Sequence, residues 1–203
     1  MANDMLRVSV TNGFVLTFAL LFAVCGESGG IAVLLCALTH ELAHAAAVRI
    51  CGGRVTAFVM EASGFQMKTV FPAGISYWKE IFCLASGALC NLLLGFALVR
   101  MVWGNEYIYM LGGANLTFGF FNLIPAGRFD GGKIVRLCAE YAAGPQRSRL
   151  IPNWISGIAA GLVLAGGGIL FFKSGRNPLV ALTCLYLSFL LGYDIITAVR
   201  KRR

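Results

Sequence analysis

Apolar residues in this chain gather in long runs instead of recurring at the intervals of a soluble helix or strand. Six runs stand out, from about Val8 to Val24, Gly30 to Val48, Ile81 to Trp103, Ile108 to Ile124, Ile151 to Phe172 and Leu179 to Val199. Each approaches the ~17–25 residues that an α-helix needs to cross a bilayer core. The pattern predicts an all-α polytopic membrane protein of about six transmembrane helices, forming one domain over residues 1–203. Two connecting segments carry patterns of their own. Gly52 to Phe71 sets β-branched and aromatic residues around the turn signal Ser63-Gly64, which predicts a short β-hairpin at the membrane edge. Pro125 to Pro152 mixes charge with a helical pattern near Ile134 to Ala142, read as an interfacial helix or a cytoplasmic connection.

Composition agrees: 58% of residues are hydrophobic and only 13% charged, with a mean hydropathy of +0.77. Soluble domains are about a quarter charged, so a soluble globular domain, a secreted disulfide scaffold and a disordered region are excluded. The net charge of +8 falls in short clusters between the runs, without the continuous stripe that a nucleic-acid partner requires. Counted over six spans, fourteen of the seventeen Lys and Arg lie on the side of the termini and the even-numbered loops. Positive loops stay inside, which predicts cytoplasmic termini. The seven cysteines form no CxxC pair and sit mostly within apolar runs, where they read as small hydrophobes. Gly157, Gly161 and Gly166 to Gly168 read as a close-packing face, and Trp78, Trp103 and Tyr107 as interface anchors. No cleavable signal peptide is evident.

The second run contains His40-Glu41-Leu42-Ala43-His44. On a helix, residues four apart lie one turn apart on nearly the same face. Two neutral imidazoles can thus converge on one metal ion, and zinc suits such ligands. Glu41, on the adjoining face, is placed to act as general base toward an attacking water. The chain has two histidines, both in this motif, and the run holds no other charged residue. Ionisable groups within a span are costly and mark a functional site by default. The competing reading makes them interhelical hydrogen-bonding groups, or a helix end facing water.

A catalytic zinc needs a third protein ligand and an open position. No histidine remains, so a carboxylate is expected, and Asp130 and Asp194 are the candidates with membrane depth. Asp130 is favoured because Pro125 ends the fourth run and Gly131-Gly132 follow the carboxylate, so the backbone there can bend. Topology also puts Asp130 and the histidines in the same cytoplasmic half. Asp194 lacks that context, and its alternative is a polar contact between helices.

HELAH in an early span, followed by Asn122, Pro125 and Asp130-Gly131 at the end of a later one, resembles the site-2 protease family of intramembrane zinc metalloproteases. Ala85 to Asn91 (ASGALCN) is similar to that family's GPxxN signature, with Ala88 in place of the proline. The likeness covers about residues 30–135. It implies one zinc ion on His40, His44 and Asp130, Glu41 as catalytic base, and Asn91 and Asn122 as substrate-binding amides. From the residues alone, the two asparagines read equally as hydrogen-bond glue between helices. The resemblance further implies a membrane-associated protein substrate, cut near the cytoplasmic side. The hairpin around Ser63-Gly64 would receive the unwound substrate as an added strand. The layout is most similar to the sporulation-type branch, which processes a sigma-factor precursor in the bacterial cell membrane. Neither that branch's CBS domain nor a PDZ domain is expected within these residues. A membrane inhibitor protein is a further partner class. Competing functions are a divalent-metal transporter and an inactive scaffold relative. The first lacks a second ligand cluster on the external side, and the second has no need of Glu41 and Asp130.

Overall fold

A computed structural model of the chain describes residues 7–62, 64–101, 105–126 and 129–147, with short helical stretches between 157 and 173. The sixth apolar run with Asp194, and most of the fifth, lie outside the described residues. The chain divides into two compact units, Met1–Phe121 and Asn122–Arg203. The described elements are mostly helical. In order they are β1 (Arg7–Val10), α1 (Asn12–Ile50), β2 (Arg54–Glu61), β3 (Gly64–Val70), α2 (Tyr77–Arg100), α3 (Glu106–Asn122) and α4 (Asp130–Arg147).

In the first unit, α1 starts at Thr11, whose side-chain oxygen accepts the Phe14 N–H and so caps the helix. The same Thr11 donates its backbone N–H to the Met60 carbonyl at 2.9 Å. Met60 follows Ile50 by ten residues, a reach of at most ~35 Å, whereas a straight helix between Thr11 and Ile50 would be ~58 Å long. The helix must therefore turn back. It does so at Gly26, whose φ of 70° and ψ of 175° interrupt the helical backbone in a region open essentially to glycine alone. Phe22 and Gly30 meet across the turn, where a Cβ on Gly30 would lie 2.8 Å from the Phe22 ring.

The second half of α1 is the predicted second run. The first run differs from expectation. Val8 and Val10 belong to β1, and the helix over residues 12–25 extends only ~21 Å, short of the ~30 Å hydrocarbon core. Among the described residues, Asn12–Ile50 and Tyr77–Arg100 are the two helices long and apolar enough to cross a membrane. At 17 residues, α3 stands at the short limit for a span. The expected six spans are not reached within the described residues.

The predicted hairpin is present: β2 and β3 pair antiparallel from Arg54↔Val70 to Glu61↔Gly64, with a bulge between Val55 and Ala57. Unforeseen is β1, which adds in parallel on the other edge of β2, Arg7↔Ala57 to Val10↔Met60. Large apolar side chains of the helices point outward: Leu16, Leu20, Leu42, Leu93 and Phe96 are each more than half exposed. His40, His44, Asn91 and Asn115 are buried. Soluble proteins reverse this distribution; a fold whose solvent is lipid adopts it.

The second unit opens with a turn around Pro125, in which Phe129 donates its N–H to the Ala126 carbonyl. Asp130 then begins α4. Gly131 is packed so tightly that any Cβ there would overlap the Leu123 carbonyl, which explains glycine after the carboxylate. The helical pattern expected near Ile134 to Ala142 is α4 itself. Ala139 is buried, Lys133, Arg136 and Tyr141 are exposed, and Arg136 pairs with Glu140 at 2.9 Å.

Candidate metal centre

His40 and His44 project from the same face of α1, 4% and 8% exposed, with ring centroids 4.5 Å apart and planes perpendicular. Their Nε2 atoms stand 3.0 Å apart. Two nitrogens on one tetrahedral zinc, each bonded at ~2.05 Å, stand ~3.3 Å apart. The separation therefore suits a shared ion closely.

The tautomer of His44 is set from α2. Its Nδ1 lies 2.7 Å from the Cys83 carbonyl, which can only accept, so Nδ1 carries the proton. In the neutral ring Nε2 then presents its lone pair to the other histidine, as a metal ligand must. Ser86 Oγ supports this, 2.8 Å from the same carbonyl and 3.3 Å from Nδ1. The His40 ring packs edge-on against Phe118 at 5.3 Å. Gly87 gives the pair its space, since a Cβ there would come within 2.5 Å of His44 Nε2 and 2.8 Å of His40 Cε1.

Asp130 is 4% exposed, and its Oδ1 accepts from Lys133 Nζ at 2.8 Å, an i,i+3 pair at the start of α4. The Lys133 ammonium thus orients the carboxylate at the start of α4. Within the first unit His40 and His44 thus offer two nitrogen ligands on one face, and within the second Asp130 offers a buried carboxylate. Glu41 is half-buried on the neighbouring face of α1.

Asn91 is fully buried, and its Nδ2 donates to the Cys36 carbonyl at 3.0 Å. It therefore ties α2 to α1. Asn122 is the last residue of α3, half-buried. Sequence reasoning missed Ser86, Lys133 and Asn115. Lys133 was within reach of helical spacing from Asp130, and Asn115 carried the signal used for Asn91, an amide inside an apolar run.

The first unit is mostly helical, with apolar side chains outward and a buried histidine pair inside. Residues 102–166 match the model of peptidase family M50. The chain is 29% identical over 198 residues to Rip3 of Mycobacterium tuberculosis, named as a zinc metalloprotease, in both the Erdman and H37Rv strains. That match takes in 90% of this chain and 48% of Rip3, so the chain spans about half the length of these relatives. The fold is that of the site-2 protease from Methanocaldococcus jannaschii, with a TM-score of 0.64 at 22% identity, over 93% of this chain and 90% of that one. Together the family model, the relative and the fold relate the chain to peptidase family M50 and to the site-2 proteases.

Proposed function

We propose that this chain is an intramembrane zinc metalloprotease that hydrolyses a peptide bond of a membrane-associated protein near the cytoplasmic face. The observation that carries the reading is the buried His40–His44 pair, with Nε2 atoms 3.0 Å apart and His44 Nδ1 committed to a backbone carbonyl. His40, His44 and Asp130 are the proposed ligands. When bound, zinc supplies a Lewis acid that activates water and polarises the scissile carbonyl.

Glu41 takes the proton of the attacking water and passes it to the leaving amine. Lys133 would orient the Asp130 carboxylate as a ligand through its 2.8 Å ion pair. Asn122 is proposed to hold the substrate backbone or the developing oxyanion through its amide, whereas Asn91, first a candidate for the same role, has its amide committed to Cys36. A helical substrate hides its carbonyls in its own hydrogen bonds and must unwind before attack. The outer edge of β3, unpaired among the described residues, offers such an unwound segment a strand to join. The excess of basic residues on one side supports cytoplasmic termini, and the sporulation-type resemblance supports a bacterial cell membrane. The sporulation-type resemblance nominates a membrane-tethered sigma-factor precursor as the first substrate to try.

The test uses full-length protein in zinc-loaded proteoliposomes with a membrane-tethered reporter, read by the appearance of the shortened product. Glu41→Gln is expected to lower cleavage by about 10²–10⁴-fold while zinc content, measured by mass spectrometry, stays near one per chain. Cleavage at the wild-type rate would remove Glu41 from the chemistry. Absence of cleavage by a zinc-loaded wild type across membrane-tethered reporters would turn the reading toward a metal-binding scaffold.

A further inference from the structure

Three helices of the first unit meet in layers one turn apart. In the first layer His44 meets the Cys83 carbonyl. In the second, His40 packs against Gly87 and Phe118. In the third, the Cys36 carbonyl accepts the Nδ2 of Asn91. Steps of four residues along α1 (44, 40, 36) and α2 (83, 87, 91) keep these layers in register. On α3, Asn115 stands about one turn from Phe118 and so belongs to the third layer.

The seam between α2 and α3 is tight. A Cβ on Gly95 would lie 2.8 Å from the Gly112 carbonyl oxygen, and one on Gly119 would lie 3.0 Å from that of Ala88. Asn115 falls on the face defined by Gly112 and Gly119, and Asn91 on the face defined by Gly87 and Gly95. Both amides therefore enter the junction that α1 closes.

Their hydrogen bonding is incomplete in the same way. Asn91 and Asn115 are 0% and 1% exposed. Asn91 commits its NH2 group to Cys36 and Asn115 commits its own to the Leu111 carbonyl at 2.9 Å. Each leaves a buried Oδ1 with no partner among the described residues. In lipid no solvent compensates an unpaired amide oxygen. Both open positions are acceptors, so the occupant must donate two hydrogen bonds. The layer's side chains, Cys36, Asn91 and Asn115, carry no formal charge to neutralise a bare cation. Water, with two O–H donors and a need for two to four polar partners, meets the requirement.

We propose that the α1–α2–α3 junction at Cys36, Asn91 and Asn115 is a binding site for one ordered water molecule, a helical turn inward of His40. The water bridges the two Oδ1 atoms, tying α3 to the α1–α2 pair and keeping Phe118 against the His40 ring. The site is independent of the proteolytic reading, and its test needs no turnover.

Full-length protein in lipid nanodiscs is exposed to X-ray radiolysis in H2 18O, and oxidation is located by mass spectrometry. Bound water generates hydroxyl radicals in place, so Cys36, only 1% exposed, should be labelled several-fold above background. Asn115→Leu removes one acceptor and should reduce that labelling several-fold while lowering the melting temperature. Asn115→Ser keeps a hydroxyl and should retain most of the label. Background labelling of Cys36 in the wild type overturns the proposal, whether or not the leucine variant folds. Undiminished labelling in Asn115→Leu overturns it, and so does a raised melting temperature, which marks a dry orphan oxygen. A melting temperature that responds to sodium but not to choline would assign the site to a cation and equally overturn the water.

Discussion

The absence of one Cβ decides whether the histidine pair can exist. Gly87 presents bare α2 backbone to both imidazoles, and an added methyl would stand 2.5 Å from His44 Nε2. Neither histidine can retreat: His44 is held through Nδ1 by Cys83, and Phe118 lies against His40. Gly87→Ala should therefore lower zinc affinity by at least the ~10–100-fold typical of losing a ligand's support. Competition with a chelator on the purified chain measures this, and a wild-type affinity would mean that the rings have room the geometry denies them. The HELAH motif was legible because its geometry is local, set by the four-residue spacing on one helix. The supports of His44 were not, since Cys83 and Ser86 stand 39 and 42 residues away and nothing in α1 announces them. Gly87 was visible as a letter of a signature, and its steric reason required the packed helices. Asp130 was legible from the Pro and Gly around it, and the close approach of Gly131 to Leu123 supplies the physical cause.

At the scale of elements, hydropathy located the helices but not the first turn of the chain. The hairpin of β2 and β3 declared itself through β-branched residues about a turn signal. By contrast, β1 has four residues whose partners lie fifty positions away, and short nonlocal strands leave no local periodicity. That pairing is what forces α1 to reverse at Gly26, since β1 and β2 run parallel side by side. A residue with a Cβ at φ 70° and ψ 175° costs about 1–3 kcal/mol of backbone strain. Space is not the obstacle, because nothing lies within 4 Å of the added atom. Gly26→Leu should thus destabilise the chain by about that amount without disturbing packing. Thermal unfolding in detergent would register it, and an unchanged midpoint would show that α1 does not turn there.

For the whole molecule, polarity is arranged for lipid, with leucines outside and histidines and amides inside, and the remaining question is which way it faces. Fourteen of seventeen cations gather on one side of the predicted spans, and such clusters stay in the cytoplasm. The described fold separates two exposed positions by the span Tyr77–Arg100: Gln66 on β3 before it, and Asn105 just ahead of α3. Single-cysteine variants Gln66→Cys and Asn105→Cys, in a background free of other cysteines, convert this into a labelling experiment. In intact cells a membrane-impermeant maleimide should modify Asn105→Cys and spare Gln66→Cys until the membrane is opened. The opposite pattern would invert the protein, and labelling of both in intact cells would remove α2 as a span. The answer reaches beyond topology. His44 lies six residues from the end of α1, and Gly52 and β2 follow at once, so the histidine pair opens toward the compartment in which Gln66 is labelled. On the proposed proteolytic function, the side that protects Gln66→Cys in intact cells is the side from which water and an unwound substrate segment would arrive, so the labelling result selects the face at which a candidate substrate must carry its cleavable stretch.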